Sequence, residues 1–216
     1  MATVFTGTRI ETRRGQDRVH DRLAQFIVST TALALATTLV RNCRRPGSED
    51  GMLIASIQLR TDIQVPLIPA IQSIIDGRGF DGISISVLPH REIDYGPEGY
   101  SIDSMAWQKW QAYSAWPIFI EFYEAHKDWM QKNISKKTFE WPDVLRFGRV
   151  IRNSCSHRQT IMFPREDELP VRWRDISYQQ SDNEKPFMFV DMALADFVFL
   201  MIDMADELDR LGCPLL

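Results

Sequence analysis

Cysteine is scarce in this chain of 216 residues, and its few cysteines lie far apart. Cys43, Cys155 and Cys213 are odd in number, and no two of them have the C-x-x-C spacing. This excludes a disulfide framework and a zinc knuckle, and it is typical of a protein of the reducing cytoplasm. Charged residues between Arg9 and Arg22 precede the first apolar run, so the sequence predicts no short secretory signal peptide.

The phosphate-binding and catalytic motifs of several enzyme classes are also absent. The sequence has no G-x-x-x-x-G-K-[ST] loop and no G-x-G-x-x-G turn, which cradle nucleoside triphosphates and dinucleotides. It has no H-E-x-x-H helix and no G-x-S-x-G elbow. His20, His90 and His126 have no second histidine at ligand spacing, so each is interpreted as a surface or half-buried residue. We therefore expect neither a metal nor an organic cofactor.

One uncharged segment comes near the length of a membrane span. Leu23 to Val40 contains 18 residues without a charge. Gln25, Ser29 and four threonines dilute its hydrophobicity, so we interpret it as a buried helix and do not expect a membrane partner. A membrane-associated helical protein remains the alternative for this segment.

Helical periodicity dominates the rest of the chain and predicts a mainly α fold, a bundle of four to five long helices. The predicted helices cover residues 16–43, 52–76, 102–132, 142–157 and 191–210, the second being interrupted near Pro66 and Pro69.

Segments with β patterning precede the last predicted helix. Residues 161–163, 171–178 and 186–190 are predicted strands, and residues 179–185 are the predicted connection of a small β-hairpin. Residues 77–101 are rich in Gly, Pro and Asp and are predicted to be a loop or insertion with a short strand at 83–88. We expect a single domain, 1–216, whose first 15 residues are flexible.

One short motif combines residues that could carry chemistry. The segment FGRVIRNSCSHRQT, residues 147–160, places Arg152, Asn153 and His157 at the end of an amphipathic helix. This R-N-x-x-x-H spacing resembles that of the HEPN superfamily (higher eukaryotes and prokaryotes nucleotide-binding), and the order of elements over residues 102–210 is similar to one prokaryotic group of it. The glycine-rich segment that often follows the family's histidine is absent, and residues 158–160 are Arg-Gln-Thr instead.

The resemblance implies a HEPN-like helical bundle that acts as a metal-independent endoribonuclease, as a toxin or defence effector. Arg152 and His157 would be its catalytic residues and Asn153 would support them. The implied partners are RNA, a second copy of the chain, and a cognate antitoxin or regulator. Ser154 and Ser156 are small, so we expect them to let two copies, or a helix and an RNA backbone, approach closely.

The chemistry of RNA cleavage explains why these residue types would be needed. Histidine has an unperturbed pKa suited to proton transfer near neutrality, and arginine offers a permanent fork of donors to phosphate oxygens. One histidine cannot easily be base and acid on opposite sides of phosphorus, whereas two copies across a two-fold axis can supply both. Cleavage would leave a 2′,3′-cyclic phosphate.

Other interpretations of the same motif stay open. The chain could be a HEPN-like module that binds RNA or protein without cleaving it. It could also be a helical interaction protein in which the Arg-His spacing is accidental, since Arg152 could pair with an acidic neighbour and His157 could complement a helix dipole.

Overall fold

The computed structural model describes residues 4–5, 9–40, 52–56, 59, 61–65, 76, 80–89, 104–157, 159–163 and 169–215. Within these ranges the chain forms four α-helices: α1 (His20–Val40), α2 (Ser104–Asn133), α3 (Asp143–Ser156) and α4 (Leu194–Arg210). Seven strands accompany them: β1 (Val4–Phe5), β2 (Arg9–Arg13), β3 (Met52–Ser56), β4 (Thr61–Val65), β5 (Gly82–Pro89), β6 (Val171–Trp173) and β7 (Ile176–Tyr178).

The fold is mixed α/β, and the predicted bundle of four to five long helices is wrong. Of the described residues, 52% are helical and 20% are in strands, and these strands form two small antiparallel sheets. The predicted helices that correspond to α1, α2, α3 and α4 are confirmed to within a few residues. The error comes from the first hundred residues, where strands occur that the helical periodicity did not reveal.

The larger sheet has five antiparallel strands in the order β1-β2-β5-β4-β3. Residues 52–76 were predicted to be helical, but 52–56 and 61–65 pair as a β-hairpin. The side chains of Ile63 and Val65 are buried and Gln64 between them is half-buried, which is the two-residue alternation of a strand that covers a core. Residues 66–75 of that prediction, with both prolines, lie outside the described residues.

The centre of this sheet is β5, in a region predicted to be a loop or insertion. Its side chains alternate, with Ile83, Ile85 and Val87 buried, and it pairs with β2 on one side and β4 on the other. The predicted short strand at 83–88 is therefore confirmed, and it extends by one residue at each end. Residues 9–13 form β2 and are not a flexible segment. The single-domain division itself stays a prediction.

A buried histidine joins the sheet to the first helix. His20 Nε2 donates to the Phe80 carbonyl over 2.8 Å, because a carbonyl oxygen can only accept. Nδ1 is then the acceptor for the Thr12 hydroxyl at 3.0 Å. His20 is 1% exposed and His126 is 3% exposed, so the expectation of surface or half-buried histidines is wrong for both. His90 lies outside the described residues.

The helices pack closely around an aromatic core. The rings of Phe119 in α2 and Phe197 in α4 are 5.5 Å apart. A Cβ atom added at Gly148 in α3 would lie 2.5 Å from the sulfur of Met204, so the absence of a side chain there lets α3 approach α4. In this way α4 packs against both α2 and α3, and it also lies beside β3.

The second sheet is a hairpin of β6 and β7 with a tighter turn than predicted. The strands join at Arg174 and Asp175, where Arg174 has a left-handed φ of 52°. Val171, Trp173, Ile176 and Tyr178 are all buried. Residues 179–185, predicted to connect the hairpin, contain the 3₁₀ turn Gln180–Asp182. The predicted strands at 161–163 and 186–190 are not formed; Thr160 and Pro186 make one isolated bridge, and Met188 and Met192 make another.

The predictions about a membrane span and about disulfides can also be compared with the described residues. None of the helices described is long and apolar enough to cross a membrane. Cys155 and Cys213 are free thiols, and both are buried.

Candidate functional site

The Arg152–His157 segment forms the C-terminal end of α3, as predicted. This helix follows Pro142 and buries Leu145, Phe147, Val150 and Ile151 along one face. It ends at Ser156, and His157 leaves the helical conformation with φ −121° and ψ 63°. The apolar face of α3 thus fixes the position of the motif, and the side chains of the motif lie at the point where the helix stops.

Arg152 and His157 have different surroundings at the end of α3. Arg152 and Asn153 line a cleft formed mainly by α2 and α3, whereas His157 is not among the residues that line it. The structure therefore brings Arg152 and Asn153 together and does not bring His157 to them within one copy.

The cleft that contains Arg152 is rich in positive charge. It encloses about 260 Å³ between α2, the turn after it, and α3. Four cationic side chains and a single carboxylate line it, which is a formal excess of three positive charges. We call it the basic cleft; it is lined by Tyr123, Glu124, Lys127, Gln131, Lys136, Thr138, Arg149, Arg152 and Asn153.

Glu124 is the single carboxylate of the basic cleft, and it contacts two of the cations. Its Oε1 lies 2.5 Å from Arg152 Nη2, and its Oε2 accepts from Lys127 Nζ at 3.1 Å. Arg152 Nη1 also donates to Asn153 Oδ1 at 3.2 Å, while its Nε is buried without a hydrogen-bond partner in the described part of the chain. The alternative expectation, an ion pair of Arg152 with an acidic neighbour, is thus confirmed.

The small residues of the motif have different surroundings. Ser154 is fully buried, its hydroxyl donating to the Val150 carbonyl at 2.7 Å and accepting from the Met162 amide at 3.1 Å. Cys155 is also buried, and this burial raises the pKa of its thiol far above the usual range. The expectation that Ser154 permits close approach of a second copy or of RNA is therefore wrong, and only Ser156 is exposed.

His157 is exposed at the end of α3. Its amide donates to the Ser154 carbonyl at 3.1 Å, and its own carbonyl accepts from the amide and the hydroxyl of Thr160. These contacts fix the backbone, whereas the imidazole has no hydrogen bond or ion pair with the residues described. The ring is free to contact a partner or a substrate.

Most of the basic cleft was not predicted from the sequence. Glu124, Lys127, Lys136 and Arg149 come from two helices and a turn, so no local spacing connects them to Arg152. One signal was available, because Lys and Arg exceed Asp and Glu by four in residues 131–180. In the described ranges no group of three or more His, Cys, Asp or Glu could hold a metal ion.

Comparison with known proteins does not assign a family or a function to these residues. No protein-family model, no curated protein and no solved structure matches the chain.

Proposed function

We propose that this protein is a metal-independent endoribonuclease that holds RNA phosphates in the basic cleft and cleaves with His157. The observation that supports the proposal is the basic cleft itself. Arg152, singled out from the sequence, lies there with Lys127, Lys136 and Arg149, which the sequence did not connect with it.

The composition of the cleft suits a phosphodiester. Arginine donates in a fork that matches two phosphate oxygens, and lysine adds a mobile point charge. RNA presents one such anion per nucleotide, and neutralising phosphates with Lys and Arg supplies most of the non-specific affinity of a nucleic-acid-binding protein. Tyr123 and the amide of Asn153 add polar contacts at the wall of the cleft.

The proposed cleavage uses groups of the chain alone. A neutral His157 takes the proton of the 2′-hydroxyl, whose oxygen attacks phosphorus. The bond from phosphorus to the 5′-oxygen breaks, and a protonated His157 from the second copy gives that oxygen its proton. The products are a 2′,3′-cyclic phosphate and a 5′-hydroxyl, and Arg152 stabilises the charge that develops on the phosphorane.

The proposed mechanism needs a homodimer, because one copy offers one exposed histidine among its described residues and the reaction needs two proton-transfer groups. An arrangement in which the C-terminal ends of α3 from two copies lie side by side would bring both His157 side chains to a phosphate that Arg152 of one copy binds at the edge of the basic cleft. We place this enzyme in the cytoplasm, where reduced thiols such as Cys155 and Cys213 are expected and RNA is abundant. A toxin or defence effector of this kind would be restrained by a cognate antitoxin or regulator.

Removing either side chain of the motif tests the proposal. We expect His157→Ala and Arg152→Ala each to lower cleavage of single-stranded RNA by roughly 10²–10⁴-fold, because each removes a group that acts on the reacting phosphate. Cleavage should persist in EDTA and should depend on pH with a bell-shaped profile, because one histidine must be neutral and the other protonated. Ser156→Ala, next to His157, and Arg172→Ala, outside the cleft, are matched controls and should leave cleavage unchanged.

A non-catalytic RNA-binding module is the second candidate, and two observations favour it. Glu124 already pairs with Arg152, and His157 lies outside the cleft. A clean preparation that binds RNA, loses this binding in Arg152→Ala but never shortens the RNA would establish this second candidate. Cleavage only with an added divalent metal would show that the proposed mechanism is wrong.

A further inference from the structure

A second, shallow pocket adjoins the basic cleft. It encloses about 20 Å³ between the 3₁₀ turn Thr138–Glu140, α3, and the chain at Leu169 and Val171. We call it the Phe139 pocket. Thr138 and Arg149 line both this pocket and the basic cleft, and none of the described carboxylates lines the pocket. The two are therefore continuous at Arg149, and the positive charge of the basic cleft extends to the Phe139 pocket.

Phe139 is exposed at this pocket although the turn that carries it is anchored. The residue is 52% exposed. On one side of it, Thr138 Oγ1 accepts a hydrogen bond from Arg149 Nη1 at 3.0 Å. On the other side, Trp141 is buried and its Nε1 donates to the Ser135 carbonyl at 2.7 Å. These contacts fix the backbone of the turn, so the exposed aromatic side chain does not result from a loose segment.

The surroundings of the Phe139 ring are apolar and positively charged. Leu169 lines the same pocket and is also 52% exposed. Arg146 donates to the Leu169 carbonyl at 3.0 Å and so holds this part of the wall against α3. Lys137 Nζ lies 5.8 Å from the centre of the Phe139 ring, and its contact with Glu140 is long, at 3.9 Å, and exposed. An exposed ring beside cations suits a ligand that combines a flat apolar group with an anion.

We propose that a base of single-stranded RNA stacks on Phe139 while the phosphate beside that base contacts Arg149. This inference rests on the proposed function, because it concerns the strand that the basic cleft holds. The pocket is too small to enclose a base, so the base lies on the outer surface of the ring. Every base has a flat face that stacks on an aromatic ring, and this surface therefore selects single strands without reading their sequence.

Two alternatives to this ligand fit the surface less well. A double helix keeps its bases paired and stacked on each other, so it offers no free base to Phe139. A protein partner could cover Phe139 and Leu169 with apolar side chains, but it would not need the continuity with the basic cleft at Arg149.

Fluorescence anisotropy with a 2′-O-methyl oligouridylate tests the proposal, because a strand without 2′-hydroxyl groups is not cleaved by the proposed mechanism. We expect Phe139→Ala to weaken binding roughly 5- to 150-fold, which is the contribution of one stacked base. The logarithmic salt slope should stay unchanged, because stacking releases no counterions. Lys136→Ala, in the basic cleft, should instead lower that slope by about 0.7. Phe139→Trp should bind at least as tightly as the natural protein.

An abasic strand of the same length and sugar separates the ring from the phosphates. The natural protein and Phe139→Ala should bind this strand equally, because it has no base to stack. Tyr113→Ala is the matched control, since it removes an aromatic residue of α2 that is 57% exposed and lines neither the pocket nor the basic cleft. This control should leave binding of both strands unchanged.

Four outcomes would overturn the inference. If Phe139→Ala binds the oligouridylate as the natural protein does while Arg152→Ala loses binding, stacking is wrong and the proposed function stands. If Phe139→Ala weakens binding of the abasic strand equally, the substitution has disturbed the cleft and no base is recognised. If Phe139→Leu binds like the natural protein, the contact is apolar and is not stacking, as expected for a surface that a protein covers. If the natural protein binds neither strand, the inference and the proposed function fall together.

Discussion

Glu124 neutralises part of the positive charge of the basic cleft. The carboxylate contacts Arg152 and Lys127 at once, and Arg152 and Glu124 are each about one-third exposed, with 30% and 35% of the side chain accessible. Interactions between partly buried charges are screened less than those at the surface. Under the proposed function, an RNA phosphate must therefore compete with Glu124 for the guanidinium of Arg152.

Replacing this carboxylate should strengthen RNA binding. In Glu124→Gln we expect higher affinity for single-stranded RNA and a steeper dependence on salt, by about 0.7 in the logarithmic slope for each cation released to a phosphate. Fluorescence anisotropy at several salt concentrations measures both quantities. Glu121→Gln is the matched control, since it removes the same charge from the same helix beside Arg22 and outside the cleft. Equal effects of the two variants would mean that RNA responds to net charge alone.

The residues of the motif were accessible from the sequence because they lie within six positions of one helix. Arg152, Asn153 and His157 could be identified by spacing, and the end of α3 could be predicted from the polar run after Ile151. Glu124 comes from α2, almost thirty positions earlier, and its contact with Arg152 depends on how two helices pack. Nothing in the local sequence at Arg152 indicates which carboxylate pairs with it.

At the scale of elements, helices were predicted well and strands poorly, for a physical reason. The buried face of α3 recurs with a helical period within a single stretch of chain, so local sequence determines it. A strand of five residues such as β4 is stabilised by its neighbours, and its partner β5 lies some twenty residues away. Short apolar runs such as Met52–Ser56 suit either a helix or a strand until those partners are known.

The turn between β6 and β7 is another feature that the sequence pattern alone did not predict. Continuous alternation through residues 171–178 would place Trp173 and Ile176 on opposite faces, yet both are buried. The two-residue turn at Arg174 and Asp175 restores the register, because Trp173 pairs directly with Ile176. The turn lacks the glycine that usually indicates such a bend. Arg174 is instead held by Asp203 of α4, which also accepts from Trp173 Nε1.

The exposed edge of α4 has a row of carboxylates whose charges are not equally compensated. Asp203 binds Trp173 and Arg174, and Asp209 pairs with Arg18 at 2.8 Å. Asp206 lies one turn from each and has no ion pair with the residues described. Partial desolvation, together with the charges of Asp203 and Asp209, raises the pKa of its carboxyl to about 6.

This raised pKa predicts a pH-dependent effect of Asp206→Asn. The folded protein holds the Asp206 proton more tightly than the unfolded chain, so ionisation destabilises the fold as pH rises from about 4 to about 6. The variant should therefore be more stable than the natural protein above pH 6, by up to about 1 kcal/mol because water screens an exposed carboxylate, and no more stable below pH 4. Urea unfolding at several pH values measures this difference. Asp175→Asn, at the exposed hairpin turn, is the control, and a gain that persists at acid pH would contradict the explanation.

At the scale of the whole molecule, the number of exposed histidines limits the proposed chemistry. His20 and His126 are buried and hydrogen-bonded within the fold, so His157 is the histidine of the described residues that can reach a substrate. One copy therefore supplies one proton-transfer group at this site. Cleavage of RNA by a histidine pair requires that both copies of a dimer contribute to the same reaction.

Mixing the natural protein with His157→Ala distinguishes this arrangement from independent copies. If each site needs His157 from both copies, a mixed dimer is inactive, and an equal mixture of exchanging chains should retain about a quarter of the activity. If each copy cleaves alone, the same mixture should retain about half. RNA cleavage is measured after full exchange, with sedimentation at the same concentration to establish that dimers are present. Ser156→Ala replaces His157→Ala in the control mixture and should retain full activity. A strict monomer with undiminished cleavage would exclude the dimer mechanism, because the second proton-transfer group would then have to come from another side chain of the same copy.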